Sequence, residues 1–210
     1  MGDFKITIEN KTGDSGTPGR HVKVMLFQTL PDPLKANSYS TAWKVEDVQY
    51  PGSLGPITLP EKVEFFVIDQ TADNPRTSGP FNVKLGDEVD VTQTDAASAP
   101  NAIKVGSQPK GGIKVNNKAG NAQPLEMALF KNGRKIVSFK DVRPADSVYL
   151  DIKPVIYIAD IDDIVEGDDF EATTQATRST KFQLFPGNPR VKIQITELGT
   201  RELVFSKAEN

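Results

Sequence analysis

The sequence predicts an all-β chain built of two tandem, internally repeated antiparallel β-sandwich (Ig-like) units. Three observations predict it. The segment Ile6-Thr7-Ile8-Glu9-Asn10-Lys11-Thr12-Gly13 returns as Ile113-Lys114-Val115-Asn116-Asn117-Lys118-Ala119-Gly120, and a recurring segment marks a duplicated unit. Apolar and polar residues alternate at the period of a half-buried strand. Proline and glycine punctuate nearly every junction, which leaves no room for long helices.

Taken in order, Phe4, Ile6 and Ile8 alternate with Lys5, Thr7 and Glu9 in a first strand, and Val22 through Phe27 forms a second. The second is followed by an insertion running from Leu30 to about Val45. The continuous apolar runs Val63–Ile68 and Val155–Ala159 predict central strands covered on both faces. Asn132-Gly133 sits between Met127–Phe130 and Ile136–Phe139 and predicts a hairpin, because both residues accept the positive φ of a type I′ turn. Val89–Thr92, Val191–Ile195 and Leu203–Phe205 supply further strands. Three more echoes support the duplication: Met25-Leu26-Phe27 with Ala128-Leu129-Phe130, Phe66–Asp69 with Tyr157–Asp160, and Gly86–Val89 with Gly167–Phe170. The segment Ser98–Gly112 interrupts the apolar pattern around Ile103 and Val105, so the repeats are expected to divide as 1–105 and 106–210.

Composition narrows the function classes. The chain has no cysteine, so disulfides, thiolate nucleophiles and cysteine-ligated metals are excluded. Its formal net charge is −3, and no concentrated basic run suited to a phosphate backbone stands out, so nucleic acid is not an expected partner. The N-terminus runs directly into an alternating strand and no apolar stretch approaches a membrane span, so a cytoplasmic protein without membrane contact is expected.

The inventory for catalysis is thin. His21 is the one histidine, it opens a strand, and the second repeat has no counterpart for it. Gly13 through Gly19 precedes a strand rather than a helix, so it lacks the helix N-terminus of a phosphate cradle. The densest chemical feature is the acidic run Asp160, Asp162, Asp163, Glu166, Asp168, Asp169 and Glu171. Crowded carboxylates at a sandwich end suit calcium, and Asp160, Asp162, Asp163, Asp168 and Asp169 are the candidate ligands. Calcium is the one cofactor considered. The competing reading is a solvated loop that protects sheet edges. Tyr39, Trp43 and Tyr50 cluster in or beside the insertion and are the candidate ligand-binding residues, since aromatic rings stack on sugars or anchor protein partners.

The order Ile6-x-Ile8-x-Asn10-x-Thr12-Gly13, Leu26-Phe27, Tyr39-Ser40-Thr41-Ala42-Trp43, Phe65-Phe66-Val67 and Gly86-Asp87-Glu88-Val89 resembles a loosely defined group of small fungal and bacterial β-proteins of unassigned function. The resemblance covers about the first 95 residues. It implies a β-rich module and brings no catalytic residues. The preferred expectation is a non-catalytic binding or assembly protein acting through loops and the inter-repeat cleft, with a protein partner or self-association ahead of a glycan. The alternative is a carboxylate-dependent enzyme of hydrolase or isomerase/cyclase type with its site in that cleft.

Overall fold

The computed structural model describes residues 2–13, 18–30, 37–70, 75–95, 97–107, 111–120, 123–171, 179–185, 187–198 and 202–208. Among them the protein is all-β, with 18 strands, four sheets and no helix. The strands of the first half are β1 (Phe4–Asn10), β2 (Val22–Phe27), β3 (Ser38–Thr41), β4 (Lys44–Val48), β5 (Gly52–Leu59), β6 (Glu64–Asp69), β7 (Arg76–Phe81), β8 (Asp87–Thr92) and β9 (Asn101–Ser107). Those of the second are β10 (Ile113–Asn117), β11 (Leu125–Lys131), β12 (Arg134–Val142), β13 (Ser147–Leu150), β14 (Val155–Asp160), β15 (Asp169–Glu171), β16 (Thr180–Gln183), β17 (Arg190–Glu197) and β18 (Leu203–Lys207).

Sheet I has the order β18-β17-β1-β5 and sheet II the order β16-β14-β2-β4. They pack on each other, with β4 against β1 and β5 and β16 against β18. Sheet III runs β9-β8-β10-β13 and sheet IV runs β7-β6-β11-β12-β3-β15, packed through β7 on β9 and β12 on β13. The first sandwich thus takes its strands from both ends of the chain, and the second from residues 64–150 with β3 and β15 added at one edge. Alternating burial explains the layering: Phe4, Ile6 and Ile8 of β1 and Ile113 and Val115 of β10 point into the main core while their neighbours face out.

The two sandwiches have matching strand orders once β1, β2, β4 and β5 are set against β10, β11, β12 and β13, and β6–β9 against β14, β16, β17 and β18. Even the parallel pairs match, β1 with β17 and β10 with β8. Two features thereby differ from the expected layout. Sheets I and III are mixed rather than purely antiparallel, through the parallel pairs β1–β17 and β8–β10, whose strands are not consecutive and so need no tight turn, whereas sheets II and IV are antiparallel throughout. Moreover, every sheet contains strands from both sides of residue 105, so hydrogen bonding does not close within 1–105 or 106–210. The stretch expected to separate the repeats holds β9, with Ile103 and Val105 on an edge strand.

The repeated Asn-x-x-Gly ending has a structural cause. Asn10 Nδ2 donates to the Val48 carbonyl at 2.8 Å, and its Oδ1 accepts the Thr12 N–H at 3.1 Å. Asn117 does the same, donating to the Val142 carbonyl at 2.8 Å and accepting from the Ala119 N–H at 2.9 Å. Each asparagine ties the end of its strand to the last carbonyl of the facing sheet, which is why both are buried.

The Gly86/Gly167 echo has a different origin. Lys84 N–H donates to Asp87 Oδ2 at 2.8 Å and Asp87 N–H donates to the Lys84 carbonyl at 3.0 Å, around Gly86 at φ 95°. Val165, Gly167 (φ 99°) and Asp168 repeat that arrangement at 3.0 and 3.2 Å. The echo is a shared turn that needs glycine at its positive-φ position, not a shared strand, since β8 is central in sheet III and β15 is an edge of sheet IV. Asn132 and Gly133, at φ 51° and 73°, form the expected hairpin.

Candidate functional site

The acidic run packs across the outer face of sheet II, where Ile161, Ile164 and Phe170 cover Met25, Phe27 and Ala159 in a second small core. Its carboxylates separate by position. Asp160, Asp162 and Asp163 are exposed, and desolvation raises the Asp160 carboxyl above its ordinary value, with Arg20 opposing and Asp162 adding to the effect. Glu166 reaches Lys44 at 3.4 Å and Arg134 at 2.5 Å. Asp168 spends Oδ2 on the Val165 turn.

Asp169 is the most committed of them. It accepts from Thr41 Oγ1 at 2.7 Å, from Lys135 at 2.6 Å and from Lys140 at 2.9 Å. Burial alone would raise its pKa, but these donors prevail and hold it below the usual carboxylate value. Lys135 also reaches Glu126 Oε1 at 2.9 Å, and Gln70 Nε2 donates to Glu126 Oε2 at 2.5 Å. The result is a line of alternating charge, Glu126–Lys135–Asp169–Lys140, that ties β15 to the inner strands of sheet IV. Among the described residues no group of three or more His, Asp or Glu side chains comes together in a metal-binding arrangement.

The three aromatic candidates do not converge. Tyr39 lies on β3 with the Lys140 ammonium 4.5 Å from its ring centre. Trp43 is 4% exposed and belongs to the main core, where its indole N–H has no hydrogen-bond partner among the described residues. Tyr50 sits at the turn before β5, and its ring fills the space a Cβ would need at Gly13 and at Gly19. The glycine-rich loop is therefore packed around Tyr50 at its two ends. His21 is exposed at the start of β2. Replacing Trp43 by alanine is expected to cost about 3–5 kcal/mol, as for other buried aromatic truncations. Trp43→Phe, which also removes the unpaired donor, is expected to cost much less; urea unfolding of the two variants measures the difference.

Two surface features were not singled out as sites from the sequence. One is the outer edge of sheet III, where β9 carries Ile103 and Val105 at 53% and 54% exposure. A register shift opposite Glu88 and Val89 makes Val105 an extra residue in the strand and turns it outward. The other is a groove of about 580 Å³ on the outer face of sheet I, lined by Lys5, Thr7, Pro56, Asn188, Arg190 and Lys192. Its two halves are nearly two hundred positions apart, so no sequence window could reveal it.

The chain matches no protein-family model. It likewise matches no curated protein and no solved structure.

One further group is unusual. Lys131, at the end of β11, is 5% exposed, and desolvation lowers its pKa to about 8, against the smaller opposing pull of Glu61 and Asp3. No helix among the described residues is long and apolar enough to cross a membrane.

Proposed function

We propose that this is a non-catalytic binding or assembly protein whose two sandwiches are tandem Ig-like repeats with exchanged halves. In this reading the first half of each repeat completes its sheets with the second half of the other, which accounts for the matching sheet orders and for the repeated asparagine ties. Support for a non-catalytic role comes from the buried carboxylates. Asp69 is held by Arg76 at 2.7 Å and Gln93 at 3.1 Å, and Glu126 and Asp169 are held by the lysines described above. Asp169, held below the usual carboxylate value, is a poor proton carrier, because a general acid or base works best with a pKa near the operating pH.

The observation that carries the assembly reading is the β9 edge. Most other edges carry protective features: Pro56 and a bulge in β5, Pro80 and a bulge in β7, charged residues in β4, and only three or four residues in β13, β15 and β16. Edge strand β18 turns Leu203 and Phe205 toward the core. Only on β9, among the described strands, do large apolar side chains stand exposed. The partner proposed is a second copy, paired antiparallel β9 to β9 about a two-fold axis so that the exposed Ile103 and Val105 of one copy cover those of the other. Sedimentation equilibrium is expected to show a concentration-dependent dimer that Ile103→Lys abolishes without changing the circular dichroism spectrum. A monomer at all concentrations would refute the reading.

A further inference from the structure

The outer face of sheet I holds a charge arrangement that the fold does not require. In the parallel pairing of β1 with β17, Lys5 lies directly opposite Arg190 and Thr7 opposite Lys192. Like charges on facing positions of adjacent strands destabilise a sheet. Lys192 is satisfied by Glu9 at 2.6 Å. Lys5 and Arg190 have no carboxylate partner among the described residues, and both are exposed.

The second sandwich provides the comparison within the same molecule. The corresponding pairing is β10 with β8, and there Lys114 lies opposite Glu88 with an ion pair of 2.7 Å. Asn116 lies opposite Asp90 and donates to it at 2.9 Å. The rung equivalent to Lys5 and Arg190 is filled by Gly112 and Gly86, joined backbone to backbone at 2.7 Å. The same sheet face is thus neutralised in one sandwich and left cationic in the other. Sheet I also differs in its neighbouring strand: β5 places two residues, Gly55 and Pro56, where Thr7 alone stands on β1, whereas β13 pairs with β10 without a shift. The bulge sets Pro56 as a wall of the groove, beside the cations.

We propose that this groove binds a small organic phosphate or sulfate ester. The Arg190 guanidinium supplies a planar fork matched to two oxygens of a tetrahedral oxyanion, Lys5 a second charge, and the Asn188 amide and Thr7 hydroxyl neutral donors. The apolar Pro56 wall takes the organic part. The groove's volume of about 580 Å³ exceeds what a bare anion fills. This site is separate from the β9 edge and lies on the other sandwich, so either proposal stands if the other fails.

Nuclear magnetic resonance titration of the intact chain at constant ionic strength tests the site. The probes are inorganic phosphate, inorganic sulfate and glucose 6-phosphate, with chloride as the control. Saturable shifts are expected at the amides of residues 5–7 and 188–192, with a dissociation constant on the order of 1 mM for the sugar phosphate and weaker binding of the bare anions. Lys5→Gln and Arg190→Gln are each expected to weaken binding about tenfold or more, while Lys114→Gln on the second sandwich leaves it unchanged. Lys5→Glu, which places opposite charges on the rung, is expected to raise the unfolding midpoint at low salt and abolish the titration, showing that the fold is intact where binding is lost. Equal affinity for the bare anions and the sugar phosphate would overturn the ester assignment in favour of simple anion binding. Shifts that do not saturate, or that persist in both glutamine variants, would overturn the site altogether.

Discussion

Lys135→Ala is expected to lower stability by about 3–5 kcal/mol, the cost of removing one partner from a buried ion pair. In a chain of this length each kcal/mol shifts the unfolding midpoint by about 2–4 °C, so a fall of roughly 6–20 °C should appear in a thermal scan. The reason is that Lys135 serves two carboxylates. Glu126, with its side chain fully buried, and Asp169, 15% exposed, approach the same ammonium group at 2.9 and 2.6 Å. Without it, the partners left among the described residues are the Gln70 amide for Glu126 and Lys140 and Thr41 for Asp169. The double variant Lys135→Met/Glu126→Gln is expected to recover part of the loss, because it removes the stranded charge as well as its partner. Lys62→Ala breaks a 3.9 Å contact with Glu64 from a lysine side chain 84% exposed, and should change stability by no more than about 1 kcal/mol.

The same cluster sets a pH dependence. The folded-state pKa of Asp169 is depressed, so its contribution is fully present above the unfolded aspartate value and disappears as pH falls through the folded value. Asp87 is shifted in the same direction: burial pushes its carboxyl upward, and Lys104 and the Lys84 N–H outweigh that. Stability is therefore expected to decline on acidification below about pH 5. In Lys135→Ala the decline should begin at higher pH, since Asp169 loses one of the donors that hold its pKa down. Unfolding midpoints measured across the acid range check both statements.

The second large effect concerns where the chain can be divided. Residues 64–150 contain β6 through β13 without interruption, which are four of the six strands of sheet IV and all of sheet III. Expressed alone, this segment is expected to unfold cooperatively. By contrast, a cut introduced at residues 108–110 of the intact protein is expected to leave the two pieces bound together until denaturant is added, because every sheet contains strands from both pieces. Size-exclusion chromatography after cleavage distinguishes the outcomes. Separation into two folded monomers would mean that each repeat can close on itself, and the exchanged-halves reading would fail.

How much of this was legible in the sequence follows from which forces are local. Asn132-Gly133 announced its hairpin because the turn's φ requirement acts on those two residues alone. The central position of β6 and β14 was visible as the apolar runs Phe65–Ile68 and Val155–Ala159, since an inner strand has little wet surface to mark. The Gly86/Gly167 echo misled because a turn and a strand start share the same few letters, and only the backbone hydrogen bonds tell them apart. The small and polar residues around Ile103 and Val105 read as a boundary because an edge strand keeps half its surface in water and loses clean alternation, and these two residues lie in β9. Of the site residues, the committed state of Asp169 was invisible: Lys135, Lys140 and Thr41 approach it only after β15 docks beside β3. Lys5 and Arg190 were ordinary solvated cations until β1 and β17 were paired.

The sequence by itself determined that this chain is β-rich, that its strands alternate between core and water, and that one strand-and-turn unit occurs twice. Those properties depend on side-chain period and turn stereochemistry, which neighbouring residues settle among themselves. The tertiary structure alone decided which half pairs with which. Two copies of a strand present nearly the same apolar face, so local pattern does not choose between partners, and the choice falls to connections and packing across the whole molecule. From that choice come the facing cations of sheet I and the buried Glu126–Lys135–Asp169 line, both created by strands distant in sequence.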